Sequence, residues 1–399
     1  LNPKFPEQFY NHGLAHQSLG QLEQAVASYE RAIALRPRFL EALLNRGHVF
    51  KSLKRYAEAV ASYEQVLAID PHYEYLLGIL LHTKMFHCDW RDLASQLELL
   101  NAKILNKEKA IAPLPYLALN DSLELQGLNA ENFAYVEYPV NPTLGPIAQK
   151  SKNERIRLGY YSADFHNHAT AYLMAQLFEL HDKSKFELIA FSFGPQNSDV
   201  MRTRLASSFD HFLEVEKLTD VEIASLSREK GIDIAIDLKG YTGQARPGIF
   251  ACRAAPVQVS YLGYPGTMGA DYIDYLIADH SLIPEGAHHY YAEKIVYLPH
   301  SYQANDSKRE ISSTIYTRAQ LGLPENDFVF CCFNNNYKIT PDTFDVWMRI
   351  LGQVPNSVLW LLEDNPEAVI NLRKEAVVRG VNHQRLIFAP RTSLAEHLT

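Results

Sequence analysis

At 399 residues with 47% hydrophobic content, the chain can bury more than one core, and two or three domains are expected. A net charge of −8 without a basic block argues against nucleic-acid or anionic-membrane partners. The longest apolar stretch, near Tyr75 to Leu81, is far short of the roughly 20 residues that cross a bilayer, and no signal-peptide pattern opens the sequence. Cys88, Cys252, Cys331 and Cys332 form no CxxC pair, so reduced, buried thiols in a cytoplasmic protein are the expectation.

The N-terminal part repeats itself. A shift of 34 positions aligns Pro3 with Pro37 and Pro71, Gly13 with Gly47, Ala25 with Ala59, Tyr29 with Tyr63, and Ala32 with Val66. Each of the two clear units reads as two amphipathic helices, with small residues where they cross and a proline closing the second. The period and pattern resemble the tetratricopeptide repeat, whose stacked units present a concave surface to other polypeptides. Leu1-Asn2-Pro3 reads as the tail of a unit, and about three units are needed for a continuous core, so the array is expected to begin upstream.

Residues 72–106 stay helical but lose the small residues, as suits a unit that caps the array or docks it on another surface. The segment from about Ile111 to Ser151 is rich in Pro and Asn, lacks sustained periodicity and reads as a linker. The expected division is a repeat array at 1–106, a linker at 107–153, a first α/β lobe at 154–312 and a partial second lobe at 313–399. Strands are predicted at 156–162, 186–193, 233–238, 257–263, 272–279 and 294–299, then at 327–335, 357–364 and 385–390. Helices predicted at 169–181, 220–230, 341–351 and 367–379 separate several of them, which argues for parallel βα units. Two doubly wound units in series create a cleft, and the chemistry is expected there, at strand ends.

Three connections carry candidate chemistry. In SADFHNHATAYLM, Asp164 and His168 fall between a strand end and a helix whose first turn lies near Thr170. Backbone N–H groups at a helix start favour anions, and a histidine there exchanges protons or hydrogen-bonds a polar substrate, with Asp164 able to orient it. Taken alone, the segment reads equally as a helix cap and a loop histidine. A metal site from His166 and His168 lacks a carboxylate or Cys partner at useful spacing.

The second connection, KGYTGQARPGIF with SYLGYPGTMGADYIDY, concentrates glycines after two strands; Gly263 and Gly266 permit close backbone approach and Pro265 holds the loop. GxGxxG spacing is absent, so a dinucleotide fingerprint is not supported. In the third, CCFNNNYKITPDTFDVW, Lys338 lies near a helix start with Thr340 as N-cap and Pro341 in its first turn, a combination suited to a pyrophosphate.

In this order behind tetratricopeptide repeats, the blocks SADFHNHATAYLM, LKGYTGQAR, APVQVSYLGYPGTMGADYIDY, FNNNYKITPDTFDVW and VPNSVLWLLED resemble the O-GlcNAc transferase family of protein O-glycosyltransferases, which includes the Spindly-type fucosyltransferases. The resemblance covers nearly the whole chain. It implies a two-lobed glycosyltransferase B fold of two Rossmann-like domains, here with the second incomplete. It further implies inverting transfer of N-acetylglucosamine from UDP-GlcNAc to Ser or Thr hydroxyls of proteins gripped by the repeats, with no metal and no cofactor.

On the matching positions His168 lies beside sugar and acceptor, Asp164 supports it, and Lys338 neutralises the departing diphosphate. Thr170, Leu262, Gly263, Pro265, Asn335 and Tyr337 would line the donor site, and His397 in APRTSLAEH would stack on the nucleobase. A GDP-fucose donor is the close rival. A non-catalytic scaffold has no need of Asp164, His168 and Lys338 together.

The chain also departs from the family. Asn335 stands where animal members carry the longer Gln, and Ile111 to Leu119 contains no histidine, although animal members supply one near there. The family continues beyond Thr399 with a Gly-His-Thr-Thr-Gly-type turn and a carboxylate that complete the nucleotide pocket. The chain therefore reads as cut at both ends, and weak donor binding with poor turnover is expected of this piece.

Overall fold

The computed structural model describes residues 5–148, 154–196 and 198–398. The chain divides into two compact units, Leu1–Lys103 with Ile311–Thr399, and Ile104–Glu310.

The first unit opens with two helical pairs, α1 (Pro6–Ser18) with α2 (Leu22–Leu35) and α3 (Leu40–Ser52) with α4 (Tyr56–Ile69). The 34-residue register is a packing register. Tyr29 and Tyr63 are fully buried at equivalent places, as are Ala25 and Ala59, and Ala32 and Val66. Gly13 and Gly47 recur because each faces one of those rings: a Cβ would stand 2.5 Å from Tyr29 at the first and 2.4 Å from Tyr63 at the second. Pro3 lies outside the described residues. Next come α5 (Leu76–Phe86) and α6 (Leu93–Leu105); Leu76, Leu77, Leu80, Leu81 and Met85 of α5 are all buried.

In the second unit, α7 (Pro113–Leu117) and α8 (Leu123–Glu137) occupy the stretch expected to be an unpatterned linker. That expectation is corrected, and the reason is visible in α8. Its fully buried residues are Gly127, Asn129, Ala130 and Ala134, its large apolar Phe133 is only partly buried, and Tyr135 is 82% exposed. Apolar periodicity cannot reveal a helix of that kind.

Then follow β1 (Ile156–Ser162), α9 (Ala169–Leu180), β2 (Phe186–Ser192), α10 (Val200–Ser208), β3 (His211–Glu214), α11 (Asp220–Glu229), β4 (Ile234–Asp237), α12 (Gly248–Ala251), β5 (Val257–Ser260), β6 (Tyr275–Ala278) and β7 (Lys294–Tyr297). The strands form one parallel sheet in the order β3-β2-β1-β4-β5-β6-β7. Strand β3 was not expected: His-Phe-Leu-Glu lacks a β-branched run, and its partly exposed position at the sheet margin asks for none.

Successive side chains go to opposite faces. Leu158, Tyr160, Leu188 and Ala190 pack with Met174 and Phe178 of α9 and Leu205 of α10, whereas Tyr161, Ile189 and Phe191 pack with Ile223 of α11 and Phe250 of α12. The strand order runs one way from β1 through β2 to β3, then resumes at β4 on the other side of β1. The helices that follow β1 and β4, α9 and α12, therefore cover opposite faces of the sheet, and the switch between them is the position where open α/β sheets bind ligands.

The chain returns to the first unit with β8 (Phe328–Cys332), α13 (Pro341–Gln353), β9 (Ser357–Leu362), α14 (Pro366–Val378), β10 (Leu386–Ala389) and α15 (Leu394–His397). The sheet is parallel in the order β10-β9-β8. Leu359 and Leu361 pack under Phe344, Met348, Leu372 and Ala376 of α13 and α14, together with Cys88 and Trp90 from the connection between α5 and α6. The connection after α5 thus docks onto the core of this sheet.

Side chains of the α14 segment close the joint. Glu367 Oε2 accepts the Ala57 N–H at 2.9 Å in the first turn of α4, while Asn365 and Asn371 donate to the carbonyls of Phe86 and His87 at 2.9 and 2.8 Å at the end of α5. Both helix ends are supplied with the groups they lack internally. The cysteine expectation needs one correction. Cys88 and Cys252 are buried, but Cys331 is exposed and Cys332 half-buried, because β8 is an outer strand none of whose five residues is fully covered.

Candidate active site

The loop after β1 turns inward at once. Asp164 is 5% exposed, and its backbone N–H donates to Ser162 Oγ at 2.9 Å. His168 is the N-cap of α9, with φ −147° and ψ 155°, and its Nδ1 accepts the Thr170 N–H at 3.3 Å. Asp164 Oδ2 lies 3.4 Å from that same Nδ1 and accepts the Thr170 hydroxyl at 3.4 Å. Asp164, His168 and Thr170 are therefore one group.

A fourth member is Lys239, two residues beyond β4. Its Nζ donates to Asp164 Oδ1 and Oδ2 at 2.8 and 2.7 Å, with both side chains almost fully buried. Parallel pairing of β1 with β4 sets Tyr161 beside Asp237, so the two loops leave the sheet as neighbours. Asp237 fixes the second loop: its Oδ1 accepts the Lys239 N–H at 2.8 Å and its Oδ2 the Gly240 N–H at 3.1 Å. Burial pushes the Asp237 carboxyl up to about 6, opposed by those two N–H groups. The signal for Lys239 in the sequence is slight, a lysine directly behind the apolar strand residues of IAIDL.

Leu262, Gly263 and Pro265 follow β5, the next strand. Leu262 adopts φ +68°, a left-handed conformation that a branched residue holds only where its surroundings enforce it. Gly263 is there because of close approach: a Cβ would stand 2.0 Å from the Leu238 carbonyl oxygen, at the root of the Lys239 loop. The three loops after β1, β4 and β5 thus bring these candidates to one edge of the seven-stranded sheet.

In the first unit, Lys338 ends a 3₁₀ turn, Asn336–Lys338, between β8 and α13. Thr340 caps α13 by accepting the Thr343 N–H at 3.3 Å, with Pro341 at the first helical position. Lys338 is exposed, its Nζ 6.0 Å from the Tyr337 ring centre. Tyr337 itself packs on His82 and Phe86 at 5.1 and 4.9 Å.

Asn335 Oδ1 accepts from Arg391 Nη2 at 2.9 Å, and Arg391 also bonds Asp364 Oδ1 at 2.7 Å, to which Lys54 of the repeats donates at 3.3 Å. His397 is exposed, with its ring edge on Phe333 at 5.5 Å. Among the described residues, no group of three His, Cys, Asp or Glu side chains is arranged to hold a metal ion.

Burial holds the His168 imidazole below the ordinary histidine range; Asp164 pulls the other way, and Lys239 and His166 push it further down. It is a neutral ring near neutral pH, able to donate or accept a hydrogen bond according to tautomer.

A repeat array joined to parallel α/β sheets, with polar groups gathered at a strand-order switch point and no dinucleotide glycine fingerprint, defines the class: an α/β protein with a candidate ligand site, fused to an array of helical repeats. The pattern of Glycosyl transferase family 41 matches residues 141–313 and 303–399, and a tetratricopeptide repeat pattern matches 10–74; the chain belongs to glycosyl transferase family 41.

A probable UDP-N-acetylglucosamine–peptide N-acetylglucosaminyltransferase SEC of Arabidopsis thaliana is 35% identical over 340 residues, covering 80% of this chain and 35% of that protein. The UDP-N-acetylglucosamine–peptide N-acetylglucosaminyltransferase of Caenorhabditis elegans is 26% identical over 357 residues, covering 61% of this chain and 31% of its own length. The chain spans about a third of these two curated relatives. A solved structure of a lysine-to-methionine mutant of the Thermobaculum terrenum O-GlcNAc transferase matches with a TM-score of 0.75 at 25% identity, over 98% of this chain and 75% of that one.

Proposed function

We propose that the chain carries the machinery of an inverting glycosyltransferase that moves N-acetylglucosamine from UDP-GlcNAc to Ser and Thr hydroxyls of proteins. The observation that carries this reading is the family match, which runs through every segment bearing a candidate residue. The relatives' names supply the donor and the peptide acceptor.

In one displacement, the acceptor oxygen attacks the anomeric carbon, its proton departs, and the uridine diphosphate leaves with both electrons of the broken bond. Such a step asks for a polar group at the sugar and acceptor, and for positive charge where the diphosphate forms. His168, supported by Asp164, is proposed for the first task. Lys338 with the start of α13 is proposed for the second, since a cation and free helix N–H groups both favour a diphosphate.

Thr170, Leu262, Gly263, Pro265, Asn335 and Tyr337 are proposed to line the donor site, and His397 to stack on the base. The repeats are proposed to hold the protein acceptor. A cytoplasmic setting is proposed with it; no described helix is long and apolar enough to cross a membrane.

The test supplies a full-length form of the protein with radiolabelled UDP-GlcNAc, or with GDP-fucose, and a pool of cell-extract proteins. Label is expected on protein from UDP-GlcNAc, and Lys338→Ala is expected to lower transfer roughly 10²–10³-fold, the scale of losing one preorganised electrostatic contact. Absence of label, or an unaffected Lys338→Ala variant, refutes the assignment.

A further inference from the structure

We propose that Lys239 is a positioning residue that sets the tautomer and charge of His168. By neutralising Asp164 it keeps His168 a neutral imidazole whose Nδ1 accepts from its own helix and whose Nε2–H is offered to a ligand. The proposal rests on the reading of His168 as part of the sugar-transfer centre, but its geometry stands apart from that reading.

Two groups compete for His168 Nδ1. The Thr170 N–H, 3.3 Å away, needs a lone pair there. The Asp164 carboxylate, 3.4 Å away, needs a proton there. An uncompensated carboxylate at that range raises a histidine pKa by about 1–3 units, so it would draw a proton onto Nδ1 and break the cap.

Lys239 decides the contest. Its ammonium lies 2.8 and 2.7 Å from the two carboxylate oxygens, in surroundings nearly closed to solvent. The ammonium then opposes the carboxylate's field at the ring, and burial of the imidazole works in the same direction. The helix N–H keeps Nδ1, and the ring proton resides on Nε2. His168 retains 42% side-chain exposure, which leaves that proton available to an oxygen of a bound sugar or hydroxyl.

The remaining charged or titratable groups around the loop do not replace Lys239. His166 faces the ring at 5.8 Å, Asp199 accepts the Asn167 N–H at 3.1 Å, and Arg202 of α10 donates to the Phe165 carbonyl at 3.1 Å. None of these contacts is to Asp164. The lysine is placed by topology: it stands two residues past the end of β4, Asp164 two past the end of β1, and the two strands pair directly.

The test reads the ring itself, by ¹⁵N–¹H correlation spectra of histidine-labelled protein across pH, without any donor. The native protein is expected to show the Nε2–H tautomer and a midpoint below the ordinary histidine value. Lys239→Met is expected to raise that midpoint by about one unit or more, and Asp164→Asn to lower it, because a buried cation then stands unopposed. The double variant removes both charges and is expected to return close to the native midpoint.

Lys239→Arg keeps the charge and is expected to preserve both tautomer and midpoint. It decides the matter together with the double variant if the lone buried charges prevent folding. An unchanged midpoint in Lys239→Met, a double variant displaced as far as either single one, or a native Nδ1–H tautomer overturns the proposal. Failure of sugar transfer with these spectra as expected would refute the function and leave the role of Lys239 standing.

Discussion

His82 on α5 lies edge-on to Phe86 and Tyr337, at ring distances of 5.0 and 5.1 Å, and its Nε2 has no hydrogen-bond partner among the described residues. Burial holds its pKa down to about 3, and the cation of Lys51 acts in the same direction. The unfolded chain, with a histidine near 6.5, binds a proton that the folded ring refuses. The contribution to stability is therefore complete above about pH 6.5 and is lost as pH falls toward about 3, on the order of a few kcal/mol in all. Thermal melting between pH 7 and pH 4 should show this acid loss, and His82→Phe should flatten it. Equal acid sensitivity in the two proteins would mean that other groups carry it.

At the scale of elements, the joint between the repeats and the three-stranded sheet depends on helix ends. Glu367 fills the first turn of α4 with a carboxylate, which both accepts a backbone N–H and faces the positive end of the helix dipole. Glu367→Ala is expected to cost about 1 kcal/mol, seen as roughly fivefold faster hydrogen exchange at the Ala57 amide. Unchanged exchange there would show that the contact contributes nothing. Helix α8 carries a lesson at the same scale. Its fully buried residues are Gly127, Asn129, Ala130 and Ala134, with Phe133 only partly buried, so the pattern that disclosed the helices around it had little to register.

Across the whole molecule, the two sheets differ in how well they are covered. Helices lie on both faces of the seven-stranded sheet, and β1, β2 and β4 are inner strands with both edges paired. Strand β8 is an outer strand whose first residue, Phe328, is 60% exposed. Hydrogen exchange measured by mass spectrometry should find β8 amides exchanging well before those of β1, β2 and β4, since local opening is easiest where little apolar area is lost. Comparable protection in the two sheets would contradict this.

The sequence by itself determined the local elements and the chemistry at their ends. The 34-residue register, the strand at 156–162, the cap at Thr340 and the placement of Asp164 and His168 before a helix all follow from periodicities and end signals that act over a few residues. Tertiary structure decided the rest. The pairing of Lys239 with Asp164 joins residues 75 positions apart and exists only because β4 lies beside β1. The hold of Arg391 on Asn335 depends in the same way on how loops fall after β8 and β10. The order of strands is set by packing of whole faces over long chain separations, and no residue within such a loop encodes which neighbour it will meet.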